Sequence, residues 1–156
     1  MGRLEHRTSP RRTYFVTTKA WGNRGIFQSS EIAKIVVSRI CECRTDAYLL
    51  HEFVLMPDHL HVLITPTRMT SLEKAMQLIK VGSSYQIHRM LQSKLEIWQP
   101  GFHDWTIRDA QDYGAKVRYI RMNPVVENPA SSPEDWEFGS ASGAYELDAP
   151  PESFRG

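Results

Sequence analysis

Residues 47–66 limit what this chain can fold into more than any other stretch. Ala47 to Met56 and His59 to about Pro66 are two runs rich in aliphatic and aromatic residues. Between them stands Pro57-Asp58, a pair suited to a tight turn. The stretch therefore predicts two antiparallel strands joined as a hairpin. Residues two apart on a strand share a face, so His59 and His61 project together while Leu60 and Val62 point the other way. Two imidazoles on one face make half of a metal site, because histidine nitrogen is the commonest protein ligand for divalent metals. From the pair alone, two polar residues on a half-wet sheet face are the slightly better-supported reading.

The flanking segments extend the hairpin into a domain. Arg12 to Thr18, β-branched and aromatic, reads as a first strand. Ser29 or Ser30 can cap a helix to about Arg44, with Ile32, Ile35, Val36, Arg39 and Ile40 near helical spacing. Thr70-Ser71-Leu72-Glu73 resembles a capping box and opens a helix to about Leu91. Trp105 to Arg108 reads as a short fourth strand. Asp109, with Asp112 three residues on, caps a last helix expected to end at Asn123-Pro124, since proline discourages helix in the residue before it. The order β-α-β-β-α-β, then a helix, matches an α+β ferredoxin-like (RRM-like) antiparallel sheet with helices on one face and a C-terminal helix added. That architecture hosts many functions.

At 156 residues the length fits one domain, divided as a basic N-terminal arm (1–11), a body (12–140) and an acidic, proline-containing tail (141–156) expected to be mobile. No apolar run approaches a membrane span, and Met1 to His6 lacks the apolar core of a secretory signal, so the expected setting is the cytoplasm with no membrane partner. Cys41 and Cys43, two apart within a predicted helix, turn away from each other and read as free thiols. A net charge of +1 argues against a large non-specific duplex binder. The cations are nevertheless grouped: Arg3, Arg7, Arg11 and Arg12 at the start, then Arg108, Lys116, Arg118 and Arg121 near the far end.

On the last helix Tyr113, Val117 and Ile120 fall at i, i+4 and i+7, the face expected against the core. Tyr119 shares a different face with Lys116 and Asn123. The helix alone leaves Tyr119 open between a presented functional group and a boundary aromatic with its hydroxyl in water.

Three motifs, in this order, carry a family resemblance. His59-Leu60-His61, after Met56-Pro57-Asp58, matches the His-hydrophobic-His motif of HUH endonucleases. Trp98-Gln99-Pro100-Gly101-Phe102 to Ile107-Arg108 is similar to the Trp-Gln-x-x-Phe-x-x-x-x-Ile-Arg segment of REP-associated tyrosine transposases, a branch of the single-tyrosine transposases. Tyr119-Ile120-Arg121-Met122-Asn123-Pro124-Val125 resembles that branch's Tyr-Ile-x-x-Asn-Pro-Val signature.

The resemblance implies a metal-dependent endonuclease and strand transferase acting on single-stranded DNA with hairpin or palindromic structure, in transposition or mobilisation of repeats. It implies that His59 and His61 hold Mg2+ or Mn2+ with Asn123 as third ligand, and that Tyr119 attacks phosphorus to form a 5′-phosphotyrosine. It allows a monomer or a homodimer. Lys116, Arg108, Arg121, Arg11 and Arg12 are candidate DNA contacts. Tyr85, His103 and His51 are weaker candidates for nucleophile, site neighbour and supporting partner. After Asn-Pro-Val the branch usually continues with a basic residue and a glycine turn; here Val126-Glu127-Asn128-Pro129 stands instead. The alternative is a non-catalytic ferredoxin-like module that binds single-stranded nucleic acid by stacking and phosphate contacts, against which the strands show no evident row of exposed aromatics.

Overall fold

The computed structural model describes residues 11–155. The basic arm before Arg11, with Arg3 and Arg7, lies outside the described residues. The elements are β1 (Tyr14–Lys19), α1 (Ser30–Glu42), β2 (Tyr48–Met56), β3 (His59–Pro66), α2 (Leu72–Leu91), β4 (His103–Thr106) and α3 (Ala110–Val126), with short 3-10 turns between and after them. The sheet order is β2-β3-β1-β4 with every neighbouring pair antiparallel, the ferredoxin-like arrangement.

The helices are not all on one face. Val16, Leu50, Phe53, Leu55, Leu60, Val62 and Ile64 face α1 and α2 in the larger core. Val54, Met56 and Leu63 face the other way and pack with Ile107, Tyr113 and Ile120 of the α3 segment. Strand alternation assigns His59 and His61 to this second face, beneath α3. A bulge at His51 allows Leu50 to face the larger core while Glu52 faces α3.

The caps follow local chemistry. Ser29 Oγ accepts from the Ile32 amide and Asp109 Oδ1 from the Asp112 amide. The second helix is capped one residue later than the Thr70-x-x-Glu73 pattern predicts, with Ser71 Oγ accepting from the Lys74 amide. The fourth strand also shifts, ending at Thr106 rather than Arg108.

The last helix runs through Pro124 to Val126 instead of stopping before it. Proline removes one N–H and crowds one carbonyl a turn back. Two helical residues follow it, the Glu127 amide still donates to the Asn123 carbonyl at 3.0 Å, and the proline ring is buried.

The segment from Phe138 onward, which includes the tail expected to be mobile, packs along β2. The Leu55 amide donates to Phe138 O at 2.8 Å, the Phe53 amide to Ser140 Oγ at 3.0 Å, and the Leu50 amide to Asp148 Oδ2 at 2.8 Å. These contacts cover the free edge of β2, which would otherwise present unpaired backbone groups. Asp148 also accepts two bonds from the Arg44 guanidinium, Tyr145 packs edge-on against Phe53, and Phe154 stacks on Tyr113. Truncation after Ser140 is therefore expected to lower stability by about 2–3 kcal/mol, because Arg44 and the Leu50 amide lose their partners. Urea unfolding measures this; a tail merely resting on the surface would leave the midpoint unchanged.

Candidate active site

The second sheet face and α3 build one cluster. His61, on β3, is almost fully buried; its ring stacks on Phe15 of β1 at 5.2 Å between centroids and meets Tyr119 edge-on at 5.3 Å. Tyr119 also meets Phe15 edge-on at 5.7 Å, yet stays 51% exposed, so its hydroxyl is reachable from solvent. His59 lies beside His61 with ring centroids 4.8 Å apart. Asn123, one turn beyond Tyr119 on α3, is 3% exposed.

Both imidazoles are held at the same ring atom. Thr17 Oγ1 lies 2.8 Å from His61 Nδ1, and Asp58 Oδ1 lies 2.7 Å from His59 Nδ1. Each ring thus keeps Nε2 for another partner, the arrangement by which surrounding groups orient metal-binding histidines. Among the described residues, His61 Nε2 and Asn123 Oδ1 are buried with no hydrogen-bond partner. Such orphans cost about 1–3 kcal/mol each and call for an explanation in function. An imidazole nitrogen and an amide oxygen are both donors to a divalent cation, so the residues present fit Mg2+ or Mn2+. Among the described residues no three His, Cys, Asp or Glu side chains converge as a metal cluster; the third donor in this set is an amide.

Burial, and then the neighbouring His59, lower the His61 pKa to about 3. The ring therefore stays neutral, with its Nε2 lone pair available, throughout the physiological range. In the unfolded chain the same ring takes a proton near its ordinary value of about 6.5. The unfolded state then binds more protons between those values, so stability is lost as pH falls from about 6.5 toward 3. In chelator, the unfolding free energy is expected to drop by on the order of 4 kcal/mol across that interval, at up to about 1.4 kcal/mol per pH unit. His61→Gln should flatten this dependence. Equal slopes in both proteins, followed by denaturant unfolding, would refute it.

The cationic candidates divide by place. Asp112 is buried at the start of α3; burial raises its pKa, but bonds from the Trp105 indole, the Arg108 amide and Lys116 Nζ outweigh that and hold it at about 2. Lys116 Nζ, 3.0 Å from Asp112, lies 4.6 Å from the Trp105 ring centre and 5.9 Å from that of Phe15. The Arg108 guanidinium lies 5.3 Å from the Trp105 centre. Trp105 is thus an exposed aromatic on β4 beside two cations, which the alternation of so short a strand did not reveal. Arg11 and Arg12 are exposed just before β1.

Arg121 does not belong to this surface. Its Nη2 and Nε donate to buried Glu52 at 2.9 and 3.2 Å, and it sits about 200° around the helix from Tyr119. Its guanidinium is engaged with Glu52 and turned away from Tyr119. His51 bonds Thr65 and the Asp148 carbonyl, away from His59. His103 pairs in register with Thr17, one strand over from His61, and its side chain is exposed. Tyr85 is exposed on α2, and Tyr113 is core.

Comparison with known proteins agrees with this geometry. Residues 14–123 match the family described as Transposase IS200 like. The REP-associated tyrosine transposase of Escherichia coli K12 is 25% identical over 142 residues, covering 87% of this chain and 83% of that protein. A solved REP-associated tyrosine transposase bound to a REP hairpin superposes with a TM-score of 0.67 at 24% identity, covering 93% of this chain and 88% of the other. A putative transposase from Deinococcus radiodurans R1 gives a TM-score of 0.51 at 13% identity, covering 78% of this chain and 93% of that one.

Proposed function

The chain belongs to the IS200-like transposase family, and from that premise we propose that it is a metal-dependent, single-strand-specific DNA transesterase working on hairpin or palindromic DNA. The observation that carries this reading is the convergence of an accessible Tyr119 on His61, beside two orphaned donors, His61 Nε2 and Asn123 Oδ1. The similar REP-associated protein whose structure is solved with a REP hairpin supports hairpin DNA as the substrate class.

In the proposed reaction the Tyr119 oxygen attacks phosphorus as its phenolic proton departs to solvent. The bond from phosphorus to the 3′-oxygen breaks, and that oxygen takes up a proton. The products are a 5′-phosphotyrosine on the protein and a free 3′-hydroxyl on the upstream DNA. Because one phosphodiester replaces another, the reverse step can join a second 3′-end without ATP. When bound by His59, His61 and Asn123, Mg2+ or Mn2+ would polarise the scissile phosphate and offset its developing charge. Thr17 and Asp58 hold the imidazoles in register for that task, and Lys116 and Arg108 supply positive charge on the same side of the sheet.

A second reading, binding without cutting, draws on Trp105, whose exposed ring beside two cations suits base stacking. One experiment separates the two. The protein is incubated with 5′- and 3′-labelled single-stranded hairpin oligonucleotides and Mn2+, then run on a denaturing protein gel. Transesterification predicts a covalent adduct carrying the label 3′ of the cut, absent with His59→Ala. Binding with no adduct across a broad hairpin panel would favour the module.

A further inference from the structure

Tyr119, Asn123 and Glu127 stand four residues apart, so successive turns present them along one stripe of α3 and its C-cap. The stripe lies over His61 at one end and His59 at the other: Tyr119 meets the His61 ring, and Glu127 Oε2 lies 3.8 Å from His59 Nε2. Asn123 falls between, its Oδ1 buried and unpartnered. We infer that Glu127 is an additional, anionic ligand of the divalent cation, completing a two-histidine, one-amide, one-carboxylate set. The inference rests on the metal-dependent reading above.

The 3.8 Å separation of Glu127 Oε2 from His59 Nε2 is too long for a hydrogen bond. It suits two atoms that share a third. Ligands about 2.1 Å from a small cation stand about 3.0 Å apart at right angles, so the two atoms would close by about 0.8 Å on binding. His59 Nδ1 is already engaged by Asp58, so Nε2 is the atom it offers toward Glu127. As it stands the carboxylate does not converge with both imidazoles, so coordination requires this half-exposed side chain at the helix end to swing inward. Its chemistry also matters: two imidazoles and an amide are neutral, whereas a carboxylate adds the charge that favours a hard cation before any phosphate arrives.

The test is Mn2+ binding to the full chain without DNA, read from loss of the free-ion electron paramagnetic resonance signal. Wild type is compared with Glu127→Gln, Glu127→Ala, His59→Ala and, as a charge control, the exposed Glu96→Gln. Coordination predicts affinity reduced about 10- to 100-fold in both Glu127 variants, unchanged in Glu96→Gln, with the loss retained at about 0.5 M salt, where a through-space charge effect fades. Wild-type affinity in the Glu127 variants, with His59→Ala impaired, would overturn the inference and leave the metal site standing. So would a defect that salt abolishes. Wild type failing to bind Mn2+, or binding it equally with His59→Ala, would overturn the metal-dependent reading and this inference together.

Discussion

Tyr119→Phe is expected to abolish covalent capture of hairpin DNA while leaving the fold and hairpin affinity close to wild type. The substitution removes one oxygen and keeps the ring that meets His61 and Phe15 edge-on. The ring is half-exposed, so stability should move by less than about 0.5 kcal/mol. The chemistry loses its attacking atom, and adduct formation should fall by at least about 10⁴-fold, the scale on which nucleophile deletions act. Gel quantification of the adduct beside a filter-binding affinity for the same oligonucleotide reads both halves of the expectation. An adduct that persists in Tyr119→Phe would mean that another tyrosine attacks. Tyr85, exposed on the far side of the sheet, and Tyr113, buried against Phe154, would then be replaced in turn.

Among single substitutions, the largest stability effect is expected at Arg121→Met. Glu52 is buried, and its oxygens are satisfied by Arg121 and by Ser140 Oγ at 2.6 Å. Removing the guanidinium leaves a buried carboxylate with a single hydroxyl partner. Breaking one side of a buried pair costs roughly 3–5 kcal/mol. Because Arg121 is itself about half exposed, solvent screening brings the expectation to about 2–3 kcal/mol. Glu52→Gln in the same background should recover part of that loss, since an amide has no charge left unpaired. An unchanged urea midpoint would show the pair to be a screened surface contact. Adduct formation at a temperature where Arg121→Met remains folded should stay near wild type, because the residue points away from Tyr119.

The parts of this molecule that could be read from sequence are those whose cause is local. The 48–66 hairpin follows from a Pro-Asp turn between two strand-forming runs, and the Ser29 and Asp109 caps from a side chain reaching an amide three residues on. His59 and His61 share a face because a strand alternates, and Tyr119 and Asn123 because a helix turns. What was not legible depends on partners distant in the chain. Asp148 meets Arg44 across 104 residues, and this contact helps turn an acidic tail into the cover of β2. Glu52 meets Arg121 across 69 residues, which turns a cation away from the Tyr119 face of the helix. The continuation of α3 through Pro124 depends on tertiary packing around a buried ring, against a local rule that favours stopping. The shift of β4 reflects an exposed four-residue edge strand with no apolar alternation to fix its ends.

Helix α3 carries the proposed nucleophile and the proposed amide donor together, and it is pinned by Asp109 and Asp112 at its start, by Glu52 along its flank and by Phe154 over Tyr113. In this structure the Tyr119 ring lies against His61 of its own chain. Handing the helix to a neighbour would require the Glu52 pair and the Phe154 stack to be released or rebuilt. Under the proposed chemistry this imposes a stoichiometry: one chain carries one reactive oxygen and can hold one severed DNA end at a time. Exchange of two strands by a single copy must then be sequential, the first end leaving before the next is taken, and the lifetime of the covalent link becomes the clock of the whole process.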